Sequence, residues 1–249
     1  MNWDTFIYFA ITSGLCWISG AWCAFRHKRK AALTLSGLGS ALFLVFIVGF
    51  WIELDRPPLR TMGETRLWYS FFLSIVGTAL YGKCKYPWML GFSTLMSLVF
   101  IFINLLKPEI HSTTLMPALQ SPWFVPHVIV YMFSYAMMGA ATLTALYLWF
   151  RKQPEEPTHE ELIVCDNLVR IGWAFLSLGM TMGALWAKEA WGDYWTWDPK
   201  ETWALATWFS YLLYLHLRPA YRNHHFLFAW LIFSFILLQM CWWGIHFLP

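Results

Sequence analysis

Eight apolar runs, each bounded by charged or proline-bearing segments, constrain this chain more than any other feature it has. They lie at about Thr5–Phe25, Ala32–Glu53, Leu67–Gly82 and Trp88–Leu106, then at Val128–Phe150, Arg170–Trp186, Thr202–Leu217 and Phe226–Phe247. A helix needs about 20 apolar residues to cross the hydrocarbon core of a bilayer, so the third, sixth and seventh runs are short by that measure. In lipid every backbone N–H and C=O must be satisfied within its own segment, which leaves helices as the form these runs can take. Composition agrees: 12% of the residues are charged, against about 25% in a soluble domain. The expected fold is all-α, a polytopic membrane helix bundle of about eight spans.

No repeat period and no low-complexity run breaks the pattern, so a single integral membrane domain is expected over residues 1–249, with no soluble domain on either side. The first apolar run leads into basic residues rather than a small-residue cleavage site, unlike a cleaved signal peptide. One set of loops carries Arg26, Lys28, Arg29, Lys30, Lys83, Lys85, Arg151, Lys152, Arg218 and Arg222, ten basic residues in all. The opposite set carries Arg56, Arg60, Arg66, Lys107, Lys188 and Lys200, which is six. The positive-inside rule then puts both termini on the outer side. In a bacterium this is the periplasmic face of the inner membrane. A net charge of +3 residing in short loops does not suggest a nucleic-acid partner. The five cysteines are scattered, and the chain has no C-x-x-C, zinc pattern or C-x-x-C-H haem-attachment site.

The stretch Trp186 to Trp203, WAKEAWGDYWTWDPKETW, falls on the outer side. It holds five tryptophans, Tyr194 and six charged residues within eighteen positions. Its charges are too costly for a lipid-buried helix, and its aromatic surface is too large for an ordinary solvated loop. Two readings remain: an aromatic belt at the membrane interface, or a platform for a planar ligand.

Topology also sorts the eight histidines. His27, His159, His224 and His225 fall in inner loops, where an interface-facing role suffices. His111, His127 and His246 fall on the outer side. His127 follows Pro126 at the outer start of the fifth run, and His246 stands at the outer end of the eighth. A histidine at each of two helix ends, beside an aromatic platform, can supply the axial ligands of a haem iron; plain interfacial hydrogen bonding competes with that reading. His216 lies about 13 residues into the seventh run, about 20 Å along a helix. Ionisable residues within spans are expensive and point to function, although a ring snorkelling to the interface beside Arg218 explains the position equally well.

Other features carry less. Glu53, Asp55, Arg56 and Glu64 can pair with one another, but a solvated turn is the simpler expectation. Met137, Met138, Met180 and Met182 read as helix packing rather than metal ligands. Pro117, Pro122 and Pro126 argue against a long regular helix across Lys107–His127, and Arg151–Glu161 reads as a polar, amphipathic approach to the sixth run. The chain has no Gly-rich phosphate loop, no G-x-S-x-G elbow and no H-E-x-x-H.

The segment Trp191-Gly-Asp-Tyr-Trp-Thr-Trp-Asp-Pro-Lys-Glu201 is similar to the tryptophan-rich "WWD" signature of haem-handling membrane proteins. It most resembles the CcsA/ResC branch of the cytochrome c biogenesis proteins. Pro117–His127 (PALQSPWFVPH) resembles the approach to that family's first external haem histidine. Tyr214-Leu-His-Leu-Arg218 resembles the segment with its intramembrane histidine, and Arg56-Pro57 followed by Gly63-Glu64-Thr65 its early external loop. The likeness is specific from about residue 115 to 218 and looser before that.

That resemblance implies a protein that binds haem b as a transient substrate and presents it on an external loop at 186–203. Together with a CcsB/ResB-type membrane subunit it would support thioether attachment to an apocytochrome c bearing C-x-x-C-H, as a subunit of a cytochrome c synthase. Trp191, Trp195, Trp197 and Asp198 would contact haem, and His127 would be an external axial ligand. His216 would ligate an inner, membrane-embedded haem whose other ligand comes from the partner. The physics of the turn favours Asp198 orienting it by accepting hydrogen bonds. The family's second external histidine usually lies in a Gly-Leu-His-Ser-Tyr-like segment beyond the last span, whereas here CWWGIHFLP runs to Pro249. Either His246 takes that role or the site is incomplete in this chain. A haem carrier that passes its cargo to a chaperone without ligation, and a non-haem membrane protein with a dense aromatic belt, are the alternatives.

Overall fold

Capping chemistry decides where the helices begin. In the computed structural model, residues 1–107, 121–150, 157–220 and 224–242 are described, and they form eight α-helices and no strand. Helix α1, Trp3–Phe25, starts from a reciprocal box in which the Asn2 side chain takes the Thr5 N–H and Thr5 takes the Asn2 N–H. Helix α2 is Arg29–Leu54. Thr61 and Glu64 form the same kind of box for α3, Met62–Cys84, and Thr158 and Glu161 form it for α6, His159–Trp191. Helix α4, Pro87–Leu106, begins on a proline, whose missing N–H costs nothing in a first turn. Helices α5, α7 and α8 are Phe124–Phe150, Pro199–Ala220 and His224–Trp242.

The third, sixth and seventh apolar runs are therefore not short helices. They sit inside helices of 23, 33 and 22 residues, because the caps lie in polar sequence outside the apolar window. Six helices, α1, α2, α4, α5, α6 and α8, are long and apolar enough to cross a membrane. The other two carry more polar residues but reach about 33 Å or more, the thickness of a hydrocarbon core. Pro126 lies in the first turn of α5 and not in a loop, since the fourth backbone position of a helix start needs no donor.

The chain divides into two compact units, Met1–Leu119 and Gln120–Pro249. In the first, α1 packs on α2, α2 on α3, α3 on α4 and α4 back on α1. Phe6, Trp17, Phe43, Phe46 and Phe50 fill one part of its core. Trp17 donates its indole N–H to Ser40 at 3.2 Å, and Ser40 bonds Ser74 at 2.9 Å. Ser70 and Ser97 each donate to the other's carbonyl, at 3.0 and 2.9 Å. Such small hydroxyls hold helices together where lipid removes the hydrophobic drive. Ile7, Ile11, Leu15, Ile18 and Trp22 form an exposed apolar stripe at helical spacing along α1, as a lipid-facing surface requires. The turn after α2 is not simply solvated: Arg56 grips Glu64 with two bonds of 2.9 and 2.8 Å, and Glu64 is 2% exposed. Its carboxylate also takes the Arg60 and Thr61 N–H groups, so burial is matched by four donors.

In the second unit α5 packs on α6, α6 on α7, α7 on α8 and α8 on α5. Ala136, Ala140, Ala141 and Ala145 line the buried face of α5, and Ser134 donates to the Gly172 carbonyl of α6 at 2.7 Å. Met138 is fully buried in this packing, as expected of a core methionine. Trp173 and Trp208 tie α6 to α7, with Trp173 donating to the Trp208 carbonyl at 3.2 Å and Trp208 to Ser177 at 2.7 Å.

Candidate functional site

Only part of the tryptophan stretch is a loop. Trp186 to Trp191 complete α6, α7 begins at Pro199, and residues 193–198 turn between them. Gly192 ends α6 at φ 95°, a left-handed conformation that suits glycine. Lys188 donates to the Gly192 carbonyl at 2.6 Å and holds its ammonium 5.3 Å over the Tyr194 ring. On the other side, the Asp198 carboxylate takes the Glu201 N–H at 2.8 Å, and its carbonyl takes the Thr202 N–H at 2.9 Å. Glu201 reaches back to the Thr196 N–H at 2.7 Å. Asp-Pro-Lys-Glu is thus a helix start: N-cap, proline at N1, glutamate at N3. This cap holds Trp197 at φ 62°, a conformation that a bulky residue adopts only where its surroundings impose it.

The rings do not share one plane. Trp195 meets Trp197 edge-on at 5.8 Å and 84°, and Trp186 meets Trp191 at 6.4 Å and 72°. Trp191, Tyr194 and Trp197 are 64%, 56% and 67% exposed. The indole N–H of Trp195 is buried and has no partner. The turn therefore offers an aromatic rim with walls at several angles.

His127 lies in the first turn of α5, against the end of α6 that leads into this turn. Its ring meets Tyr131 edge-on at 4.6 Å and stacks on Trp186 at 5.8 Å and 20°. Its Nδ1 is 2.8 Å from the Gly179 carbonyl. A carbonyl can only accept, so Nδ1 carries the proton, and in the neutral ring Nε2 keeps its lone pair. A Cβ on Gly183 would stand 2.8 Å from the imidazole Cε1, so this glycine lets α6 approach the ring. An imidazole oriented through its second nitrogen by a backbone carbonyl is how proteins fix a metal-ligating histidine.

His216 lies near the other end of α7 and is exposed. Its Nδ1 lies 2.9 Å from the Leu212 carbonyl and donates to it. His111 and His246 lie outside the described residues. His225 packs edge-on against Trp149, and His224 stacks on Phe228. Among the described residues no group of three His, Cys, Asp or Glu side chains is placed to hold a metal.

Sequence reasoning passed over one cluster. Asp166 of α6 takes the Arg218 Nε at 3.0 and 3.1 Å and the Tyr214 hydroxyl at 2.8 Å. The signal was present: Tyr214 and Arg218 are four apart, hence on one face of α7, and Asp166 directly follows the apolar run Leu162–Cys165 of α6.

A family profile described as Cytochrome C assembly protein matches residues 8–249. The chain is a CcsA-type member of the cytochrome c assembly protein family. It is 33% identical to the cytochrome c biogenesis protein CcsA of Mesostigma viride over 76% of this chain and 75% of that protein. Against CcsA of Chlamydomonas reinhardtii it is 33% identical over 74% of this chain, but spans only 56% of the relative's length. With CcsA of Guillardia theta the identity is 29% over 91% of this chain and 87% of the relative. The CcsA-type chain is thus a multi-pass membrane protein with a role in cytochrome c biogenesis, in a family whose work concerns haem.

Proposed function

We propose that this chain binds haem b as its substrate, offers it at the tryptophan turn and, with a CcsB/ResB-type membrane subunit, supports its thioether attachment to an apocytochrome c bearing C-x-x-C-H. The observation that carries the reading is the setting of His127: a ring fixed by Gly179, Tyr131 and Trp186, with Nδ1 held by a carbonyl so that Nε2 is the nitrogen left for a metal. A flat apolar macrocycle suits Trp191, Trp195 and Trp197. Asp198 acts by holding the turn, since its carboxylate is engaged by the α7 cap. Lys200 is the nearby cation for a haem carboxylate, because Lys188 is engaged at Gly192. His246 is the candidate for the second external ligand. His216 is the ligand this chain contributes to a deeper haem, the other coming from the partner. In this reading the turn faces the periplasm of a bacterial inner membrane. The chain's own share is to bind, orient and leave one edge of the substrate open to the client; the bond-forming chemistry belongs to haem and the client thiols.

The test is spectral. The chain is purified with its partner from a haem-replete host, as wild type and as His127→Ala and His246→Ala, each with and without imidazole. Wild type is expected to show a Soret band of which His127→Ala loses the part due to haem at the turn, and imidazole restores that part. No Soret band in wild type would sink the haem reading. A band untouched by both substitutions would sink the external ligand pair. Maturation of a C-x-x-C-H reporter then separates ligation from simple carriage.

A further inference from the structure

The end of the second unit away from the tryptophan turn contains a cavity of about 240 Å³, lined by Asp166, Arg170, Leu215, Arg218 and Pro219. Along α6 and α7 both arginines lie about 30 Å from the turn, the thickness of a hydrocarbon core. The cavity therefore opens where the chain meets the opposite membrane–water boundary. Its charge is unequal. Asp166 already faces one guanidinium, with one oxygen on the Arg218 Nε and the Tyr214 hydroxyl and the other on the same Nε. The Arg218 guanidinium pairs with Asp166 through Nε alone, its Nη groups make no hydrogen bond with a described residue, and Arg170 makes neither a hydrogen bond nor an ion pair with one. Two guanidiniums and one occupied carboxylate leave a net positive site with forked donors, the geometry that recognises an oxyanion. Leu215 and Pro219 give it an apolar wall.

We propose that this cavity binds the phosphate of an anionic phospholipid headgroup, held by Arg170 and the Nη groups of Arg218. Basic pockets between membrane helices take such headgroups. An ethanolamine or choline headgroup fits less well, because its cation would stand beside two guanidiniums whose charge one carboxylate only half offsets. The volume lies below the range of about 300–1,000 Å³ typical of pockets for whole organic ligands, so it suits a headgroup and not a tetrapyrrole. His216 stands two positions from Arg218, about 200° around the helix, so a haem on its exposed face does not reach this cavity.

The full-length chain in detergent, offered phosphatidylglycerol or phosphatidylcholine, tests this by native mass spectrometry. Wild type is expected to retain phosphatidylglycerol about fivefold better than phosphatidylcholine. Arg170→Gln, at an exposed site, is expected to abolish the preference without shifting the lipid-free melting temperature, and Arg170→Lys to keep part of it. Should Arg170→Gln misfold, wild type alone decides: its preference must weaken as salt rises. Equal retention of the two lipids by wild type, or an unchanged preference in a folded Arg170→Gln, overturns the proposal. A haem carboxylate is the other source of an oxyanion. If Arg170→Gln weakens binding of free haem but not of its dimethyl ester, and leaves phosphatidylglycerol retention intact, the cavity serves haem and the lipid assignment fails.

Discussion

At the tryptophan turn, the carboxylates of Asp198 and Glu201 are engaged by backbone N–H groups at the surface, and the aromatic rings are left outside. At the other end of the same two helices the arrangement is inverted. Asp166 and Arg218 point inward, with side chains 11% and 19% exposed, and His216 points out. The two histidines differ in the same way. His127 is gripped by side chains and backbone of its own unit, whereas among the described residues His216 hydrogen-bonds a carbonyl of its own helix alone. A ligand at the turn end thus meets an imidazole whose direction is already set. At the far end the proposed inner haem would need its remaining contacts from whatever covers that face of α7, which is the role proposed for the partner subunit.

The largest effect tests the inward end. Arg218→Leu strands the Asp166 carboxylate, and losing one partner of a buried pair costs about 3–5 kcal/mol. We expect a large drop in melting temperature in detergent, with most of it recovered in Arg218→Leu/Asp166→Asn. A single variant as stable as wild type would show that this end is not held by charge. Next comes Gly183→Ala, which drives a methyl into the His127 ring; overpacking of this kind costs about 1–3 kcal/mol. Haem retention by this variant is expected to fall towards that of His127→Ala, whereas intact retention would mean the ring direction is unimportant.

Much of this contrast was legible in the sequence at the level of elements. Eight apolar runs became eight helices because lipid leaves the backbone no other way to satisfy itself. Their ends were less legible: the apolar windows missed the polar first turns that Thr61 and Thr158 cap, so α3 and α6 are longer than the runs within them. The tryptophan stretch read as one loop because composition does not distinguish a helix end rich in indoles from a turn. Gly192, and Asp198 with Glu201 three positions on, were the marks that divide it. His127 stood out by position alone. The glycines and rings that fix it come from α6 and from the next turn of α5, and one sequence does not reveal which faces meet. Asp166 and Arg218 were missed for the same reason, being 52 residues apart.

A smaller effect separates two roles for Asp198. If it caps α7, Asp198→Ala costs about 1 kcal/mol and Asp198→Asn very little, since an amide oxygen accepts the Glu201 N–H equally well. The alanine variant is expected to loosen Trp197, read as greater iodide quenching of tryptophan fluorescence, while the asparagine variant quenches like wild type. Were asparagine as damaging to haem retention as alanine, the carboxylate charge itself would matter and the cap account would be incomplete.

The smallest effect on the fold, and the sharpest test of the contrast, is His216→Ala. Replacing an exposed ring leaves stability within about 0.5 kcal/mol of wild type, so the melting temperature of the isolated chain is expected to stay put. With the partner subunit present, the same variant is expected to lose part of the haem that co-purifies, and imidazole to restore it, while the His127-dependent part of the spectrum remains. A His216→Ala chain that keeps all of its haem with the partner present would make this histidine an interfacial residue beside Arg218. The far end of α7 would then carry only the buried ion pair and its cavity. If instead the isolated chain unfolds, the ring is packed in a way its exposure does not show, and the two ends differ less than their geometry implies.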